Sequence, residues 1–125
     1  MAKTEEVIVT DSKTGGQKGT KLLRYDLIPP DAMDMVACVY GEGAKKYADR
    51  NWERGYNWGL SIAALERHLS KFKQRKDWDT EEPNPTGCHH MAQVAWHALT
   101  LLTFALRGLG TDDRSLSCSP KTPSD

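Results

Sequence analysis

Three stretches of the chain repeat apolar residues every three to four positions, the spacing that predicts amphipathic helices. The first begins with Ile28-Pro29-Pro30-Asp31, where proline and an acidic side chain suit a first helical turn, and covers residues 28–47. The second covers residues 60–76, and the third covers residues 86–107, from a threonine N-cap to two terminating glycines. These patterns predict an all-α fold, a small helical bundle of three main helices.

The segments on either side of these helices have a different composition. Residues 1–20 are polar and rich in glycine apart from the patch Val7-Ile8-Val9, which predicts a flexible N-terminal arm that docks through this patch or stays free. Residues 111–125 are rich in serine and proline and predict a disordered tail. The domain is therefore placed at residues 21–110, a small core that we expect oligomerisation to complete.

The composition excludes several classes of function. The 125 residues carry 17 Lys and Arg and 17 Asp and Glu, so the chain lacks the positive excess typical of duplex nucleic-acid binders and of polybasic membrane anchors. The sequence shows neither an apolar run long enough to span a bilayer nor a secretory leader. Its three cysteines contain no CxxC pair. These features predict a cytoplasmic protein that binds neither a membrane nor duplex nucleic acid.

Three histidines lie on apolar helix faces. His68 belongs to the apolar face of the second helix, and His90 and His97 belong to one stripe of the third. Since His90 and His97 are separated by roughly 10 Å along a helix axis, one metal ion could not bind both, whereas His68 and either of them could share one. The alternative is that each is a buried neutral imidazole with both nitrogens hydrogen-bonded.

Charged residues are concentrated in two places between the helices. The acidic loop comprises Asp77, Asp79, Glu81 and Glu82, whose oxygens suit Mg²⁺ or Mn²⁺ unless the loop is simply solvated near a helix N-terminus. A basic and aromatic cluster follows the first helix and contains Lys45, Lys46, Tyr47, Arg50, Asn51, Trp52 and Arg54. It predicts phosphate and base contacts, or else plain charge complementation at a helix end with aromatic side chains turned inward.

Residues 25–107 resemble a small phage-associated family of dATP/dGTP diphosphohydrolase-like proteins, near the all-α NTP pyrophosphohydrolases of the MazG and dUTPase type. The resemblance is carried by Tyr25-Asp26-Leu27-Ile28-Pro29-Pro30, Gly43-Ala44-Lys45-Lys46-Tyr47, Arg50-Asn51-Trp52, Gly55, Trp58, Ala64, Arg67-His68, the region of Asp79, Thr86-Gly87, His90 and Trp96.

This resemblance implies hydrolysis of a purine (deoxy)nucleoside triphosphate to the monophosphate and pyrophosphate with Mg²⁺ or Mn²⁺, in the cytoplasm of the host if the gene is a phage gene. It implies substrate contacts at Lys46, Arg50, Asn51, Trp52 and Arg67 and catalytic roles for His68, Asp79 and His90. Together with the nearby carboxylates, it favours Glu66, Asp79 and Glu82 as metal ligands.

Two alternatives to an enzyme remain open from the sequence. The chain has neither the ExxE nor the ExxD motif of MazG-type enzymes. It is therefore alternatively a non-catalytic binder that sequesters a purine or cyclic signalling nucleotide. A third hypothesis is a helical interaction module whose histidines are structural.

Overall fold

The computed structural model describes residues 5–116, which are mostly helical. The helices are α1 (Pro30–Lys46), α2 (Trp58–Lys73) and α3 (His90–Arg107), the strands are β1 (Glu6–Thr10) and β2 (Gln17–Lys21), and short 3-10 helices cover Tyr25–Leu27 and Asn51–Arg54. The three predicted helices are confirmed, and the two strands correct the all-α prediction. The chain divides into two compact units, residues 1–33 and 34–125.

The first unit contains an antiparallel hairpin of β1 and β2, in which Val7 lies opposite Thr20. The connecting turn is closed by the Asp11 carboxylate, which accepts hydrogen bonds at 2.8 Å from the backbone amides of Lys13 and Thr14. The patch Val7-Ile8-Val9 thus lies in β1, where β-branched side chains favour an extended backbone. The predicted N-terminal arm therefore contains a paired hairpin from Glu6 onwards, and residues 1–4 lie outside the described residues.

The second unit is built around the packing of α2 on α3. Along α3, one face of the helix is buried or half-buried at every position: His90, Val94, His97, Leu101 and Phe104. The neighbouring apolar positions differ, because Met91 and Ala95 are half-buried whereas Ala98 and Leu102 are exposed. An apolar side of α3 is therefore exposed in the second half of the helix.

Aromatic side chains form the centre of the second unit. Phe104 is fully buried, and its ring centroid lies 5.1 Å from that of Tyr56 and 6.4 Å from that of Trp52. Trp52 in turn lies 6.2 Å from Tyr40 and 6.4 Å from Trp96. The cluster connects α1, the 3-10 helix at Asn51–Arg54 and α3, because each of these elements contributes a ring to it.

Helix α3 begins at His90, later than the N-cap predicted at Thr86. The Thr86 hydroxyl instead donates a hydrogen bond to Asp79 at 2.8 Å, and Gly87 adopts a left-handed conformation with φ +76°. The N-cap is His89, whose Nδ1 accepts a hydrogen bond from the Met91 amide at 3.0 Å. The threonine thus bonds to a residue seven positions earlier in the preceding loop instead of capping the helix.

The N-terminus of α2 is capped from a distant part of the chain. Asn57 precedes the helix but makes no capping hydrogen bond with its side chain. The Asp113 carboxylate accepts one from the Gly59 amide at 2.7 Å, and the Thr111 carbonyl accepts one from the Trp58 amide at 3.0 Å. Part of the predicted tail thus contacts α2, and residues 117–125 lie outside the described residues.

We expect Asp113→Ala to lower the free energy of unfolding by about 1 kcal/mol, because an amide of the first turn loses its capping acceptor and the helix dipole loses a nearby anion. Asp112→Ala is the matched control, since Asp112 pairs with the exposed Arg114, and a change within about 0.5 kcal/mol is expected. Urea denaturation measures both values. Equal losses in the two variants would contradict the capping role.

Candidate functional site

A cleft of about 1350 Å³ lies in the second unit. Its walls come from the C-terminal half of α1, the 3-10 helix at Asn51–Arg54, α2, the loop at 83–86 and α3. All five predicted substrate contacts line it: Lys46, Arg50, Asn51, Trp52 and Arg67. The cleft is larger than ordinary small-ligand pockets of roughly 300–1,000 Å³, so it has room for a nucleoside triphosphate.

The cationic wall of the cleft follows the end of α1. Lys45 and Lys46 occupy the last turn of that helix. Arg50 has a left-handed backbone with φ 59°, unusual for a residue with a Cβ atom, and its guanidinium pairs with Glu53 at 2.9 Å. Such strain costs about 1–2 kcal/mol and is typical of functional loops. Here the left-handed turn starts the 3-10 helix that brings Asn51 and Trp52 to the cleft.

The aromatic side chains of this segment are both core and cleft wall. Trp52 packs edge-on against Tyr40 and Trp96, and all three line the cleft. The two interpretations of these aromatics, turned inward or facing a ligand, are therefore compatible. The indole Nε1 of Trp96 is buried and has no hydrogen-bond partner among residues 5–116.

His68, Asp79 and His90 form a compact group, called here the His–Asp group. Nδ1 of His68 lies 2.8 Å from Nδ1 of His90, and one potential ligand atom from each of the three residues lies within 4.8 Å of the others. His68 comes from α2, His90 from the first position of α3, and Asp79 from residues 74–89 between these helices, called here the connection. His90 is only 3% exposed. The structure thus brings the three predicted catalytic residues together.

The backbone of the connection holds Asp79 beside His90. The Asp79 amide donates to the Cys88 carbonyl at 2.9 Å, and the Gly87 amide donates to the Asp79 carbonyl at 2.8 Å. The His90 amide also donates to the carbonyl of Asp77 at 2.7 Å. The connection therefore folds back on itself, which places the start of α3 against Asp79.

The Asp79 carboxylate is held through one of its two oxygens. Oδ2 accepts hydrogen bonds from the Thr86 hydroxyl at 2.8 Å and from the Gln93 amide group at 3.2 Å. Oδ1 accepts none from the residues that the structure describes. Hydrogen bonds thus hold Oδ2 in place and leave the lone pairs of Oδ1 able to accept a further partner.

The ionisation of the group follows from its surroundings. Burial lowers the pKa of His68, and the neighbouring His90 and Arg67 lower it further against the opposing effect of Asp79. For Asp79, burial opposes ionisation, but hydrogen bonds from Thr86 and Gln93 outweigh it, and the pKa lies below its ordinary value. At neutral pH the group therefore combines a neutral His68 with an ionised carboxylate.

His97 lies beside the His–Asp group but has other partners. Its Nδ1 is 2.9 Å from Oγ of Ser61, which is 2.6 Å from the Tyr56 hydroxyl. Its ring stacks on that of His68 with centroids 6.0 Å apart. Of the two histidines of α3 that could have joined His68, the structure selects His90, and His97 belongs to a separate hydrogen-bonded chain.

We expect His97 to make the metal-free protein less stable in acid. Burial, then His68 and Arg67, lower the His97 pKa from 6.5 to about 4, so the unfolded chain takes up a proton in this range that the folded chain does not. The associated stability is complete above pH 6.5 and is lost as the pH falls to about 4. His97→Asn should flatten this part of the curve of unfolding free energy against pH, measured in EDTA. An unchanged slope would contradict the prediction.

The acidic loop contributes only one ligand candidate to the group. Glu66 and Glu82, the other predicted metal ligands, are exposed and lie outside the His–Asp group. Glu81 instead pairs with Lys71 at 3.3 Å and Lys76 at 3.5 Å. Much of the acidic charge of the loop is therefore offset by the end of α2.

Several residues of the site were not predicted as site residues. The sequence indicates Thr86 as a helix cap and as part of the family resemblance, but it predicts no role in the site for Thr86, Gln93 or Ser61. A signal existed for two of them, because Gln93 lies three positions after His90 and Ser61 seven before His68, and both spacings keep one helix face. The role of Thr86 depends on the loop's path and has no local signal.

The His–Asp group borders the cleft. Its own side chains are not among the cleft-lining residues, but Arg67, Thr86, Gln93 and His97, which contact it or act on its charge, do line the cleft. Within residues 5–116, none of the helices combines the length and hydrophobicity that a membrane span requires.

Three comparisons with known proteins gave one match. Neither the search of characterised proteins nor the search of solved structures found a match. A family model does match, over residues 12–114, and its description is "dATP/dGTP diphosphohydrolase, N-terminal". Because this match covers most of the chain, including the cleft and the His–Asp group, the protein belongs to the dATP/dGTP diphosphohydrolase N-terminal family.

Proposed function

We propose that this protein hydrolyses a purine deoxynucleoside triphosphate to the monophosphate and pyrophosphate, in a metal-dependent reaction. One observation carries the proposal: the five residues predicted to bind substrate line a single cleft, and the His–Asp group borders that cleft. Membership of the dATP/dGTP diphosphohydrolase N-terminal family supports the same reaction. Such a substrate belongs to the cytoplasmic nucleotide pool.

The phosphates would bind between Lys46, Arg50 and Arg67. All three line the cleft with exposed side chains, so their charges are accessible to a polyanion. Arg67 acts on the pKa values of both His68 and His97. Of the three cations, Arg67 is therefore the one proposed to hold the phosphate that reacts.

The nucleoside would bind near the 3-10 helix at Asn51–Arg54. Trp52, Tyr40 and Trp96 provide an aromatic wall there, and the Asn51 amide can both donate and accept hydrogen bonds at a purine edge. A purine offers a wider ring face than a pyrimidine for such a wall. This arrangement supports the purine preference in the proposal.

The metal ion in this proposal would neutralise charge on the phosphate chain when bound. The His–Asp group is the only set of three or more potential ligands that converges among the described residues, so it is the place for the ion. Asp79 would contribute a carboxylate oriented by Thr86 and Gln93, and His68 and His90 would contribute ring nitrogens.

The test is incubation of the purified chain with dATP, dGTP, dCTP, dTTP, ATP and GTP in the presence of Mg²⁺ or Mn²⁺. Pyrophosphate release and chromatography of the nucleotide products are the readouts. We expect purine deoxynucleotides to give monophosphate and pyrophosphate in equal amounts. Arg67→Gln should raise KM, with Arg107→Gln, which lies away from the cleft, as the matched control. Absence of turnover with every nucleotide and ion would overturn the proposal.

Thermal-shift measurements beside this assay separate the enzyme from a nucleotide-sequestering protein. A binder would show a thermal shift that grows with nucleotide concentration but no product. In that case Trp52→Phe would weaken binding while Asp79→Ala would leave it intact. A helical interaction module would show neither a shift nor a product.

We further propose that two or more copies associate through the exposed side of α3. Leu99, Leu102 and Leu106 lie three to four positions apart on this helix and are all exposed, while few apolar side chains of the described chain are fully buried. A second copy would cover this stripe. We expect Leu102→Glu to shift the protein towards monomer in light scattering coupled to size exclusion. A wild-type protein already monomeric at high concentration would contradict this.

A further inference from the structure

We propose that the His–Asp group binds one transition-metal ion of the Mn²⁺ to Zn²⁺ series, in preference to Mg²⁺. The inference rests on the proposed function for what the ion does during turnover. Binding itself depends only on His68, Asp79 and His90 and is measured without nucleotide.

The spacing of the nitrogens fits a metal ion. With metal–nitrogen bonds of about 2.0–2.1 Å, the 2.8 Å separation of the two Nδ1 atoms corresponds to a bond angle of roughly 85–90°, that of neighbouring octahedral positions. Ligand atoms on such an ion are about 2.9 Å apart in neighbouring positions and about 4.2 Å apart in opposite positions. A separation at the 4.8 Å limit of the group would therefore close by about 0.6–1.9 Å through movement of the Asp79 side chain.

The Asp79 carboxylate is oriented as metal-ligating carboxylates are. Thr86 and Gln93 both donate to Oδ2, which leaves the lone pairs of Oδ1 without a donor among residues 5–116. Gln93 is only 5% exposed, so this support is itself buried. Hydrogen bonds from outer residues to a ligating carboxylate fix its direction and tune its affinity for the ion.

A simple hydrogen bond between His68 and His90 would explain the 2.8 Å distance between their Nδ1 atoms but not the position of the Asp79 carboxylate beside them. An Nδ1–H of one ring donating to the other would satisfy both nitrogens without a third residue. The Asp79 carboxylate, held by two donors, nevertheless places an oxygen within 4.8 Å of a ring nitrogen of each histidine. The convergence of three donors from three different elements is what a metal ion requires.

The donor types select the class of ion. Two imidazole nitrogens and one carboxylate oxygen suit Mn²⁺, Fe²⁺, Co²⁺, Ni²⁺ or Zn²⁺, whereas Mg²⁺ strongly prefers oxygen ligands. Glu66 and Glu82, which would have supplied the oxygens of a magnesium site, lie outside the group. Three protein ligands leave coordination positions open, as in catalytic rather than structural sites.

The test uses the full chain after EDTA treatment, dialysed separately against Zn²⁺, Mn²⁺ and Co²⁺ with millimolar Mg²⁺ present throughout. Bound metal is measured by mass spectrometry, and Co²⁺ also reports its ligand field through visible absorption. We expect about one transition-metal ion per chain and no displacement by Mg²⁺. Gln93→Ala should raise the Kd by roughly 10- to 100-fold.

Matched histidine variants decide where the ion binds. His68→Gln should abolish binding, whereas His89→Asn, which replaces the histidine adjacent to His90 but keeps a side-chain acceptor at the N-cap of α3, should retain it. Circular dichroism checks that both variants are folded. Equal binding by the two variants, or displacement of the ion by Mg²⁺, would overturn the inference.

An ion bound at the group without pyrophosphate release supports the inference and counts against the proposed function. Turnover with Mg²⁺ and no bound transition metal supports the proposed function and counts against the inference.

Discussion

Asp79→Asn is expected to lower kcat/KM for the purine deoxynucleotide by about two to three orders of magnitude, the effect of removing one preorganised electrostatic group from an active site. The fold should survive, because an asparagine carbonyl oxygen can accept the hydrogen bonds that Thr86 and Gln93 now donate to Oδ2. The amide nitrogen then faces His68 and His90, where a lone pair is needed. The variant thus keeps the shape of the site and loses its charge and its free acceptor.

Asp77→Asn is the matched control for this variant. Asp77 lies in the same acidic loop, but it supports His90 through its backbone carbonyl, which the substitution leaves in place. Steady-state kinetics with both variants, after their melting temperatures are shown to match the wild type, measure the effect. If Asp79→Asn stays within tenfold of the wild type, or if Asp77→Asn is equally impaired, Asp79 does not have the proposed role.

Phe104→Ala is expected to cost about 3–5 kcal/mol of unfolding free energy, a large part of the roughly 5–15 kcal/mol that a domain usually has. Phe104 is fully buried, and its ring contacts Tyr56 and Trp52. Truncation would leave a cavity beneath two residues that line the cleft. We therefore expect nucleotide affinity to fall together with stability.

Urea denaturation of three variants tests this prediction. Phe104→Leu keeps most of the buried volume and should cost less than Phe104→Ala. Leu60→Ala removes a side chain that is 63% exposed and lies outside the proposed interface, and its effect should stay within about 0.5 kcal/mol. Similar losses in Phe104→Ala and Leu60→Ala would show that the aromatic cluster does not carry the stability of the second unit.

The helices were predictable because their signal is local. Apolar spacing located α1, α2 and α3, while the prolines at the start of α1 and the glycines after α3 marked two of the six boundaries. The hairpin was missed because β2, Gln-Lys-Gly-Thr-Lys, has no alternating apolar pattern. Its strand conformation depends on pairing with β1, which a local pattern does not show.

The sequence by itself determined which residue types serve this site. It placed Lys46, Arg50, Asn51 and Trp52 in one segment and His68 and His90 on apolar helix faces, because side-chain periodicity follows directly from the helix geometry. It also limited a shared metal ion to His68 with one of the two histidines of α3, since those two are too far apart on one helix.

Only the tertiary structure decided which candidates meet. The fold of the connection sets Asp79 against His90, while Ser61 engages His97, and Glu66 and Glu82 stay outside. The buried side chain of Gln93 and that of Thr86, which lies in the loop before α3, then orient the Asp79 carboxylate. The physical reason is that these contacts join residues of different elements. Their approach depends on the packing of α2 on α3 and on the backbone hydrogen bonds of the connection. Neither of these leaves a periodic signal in the sequence.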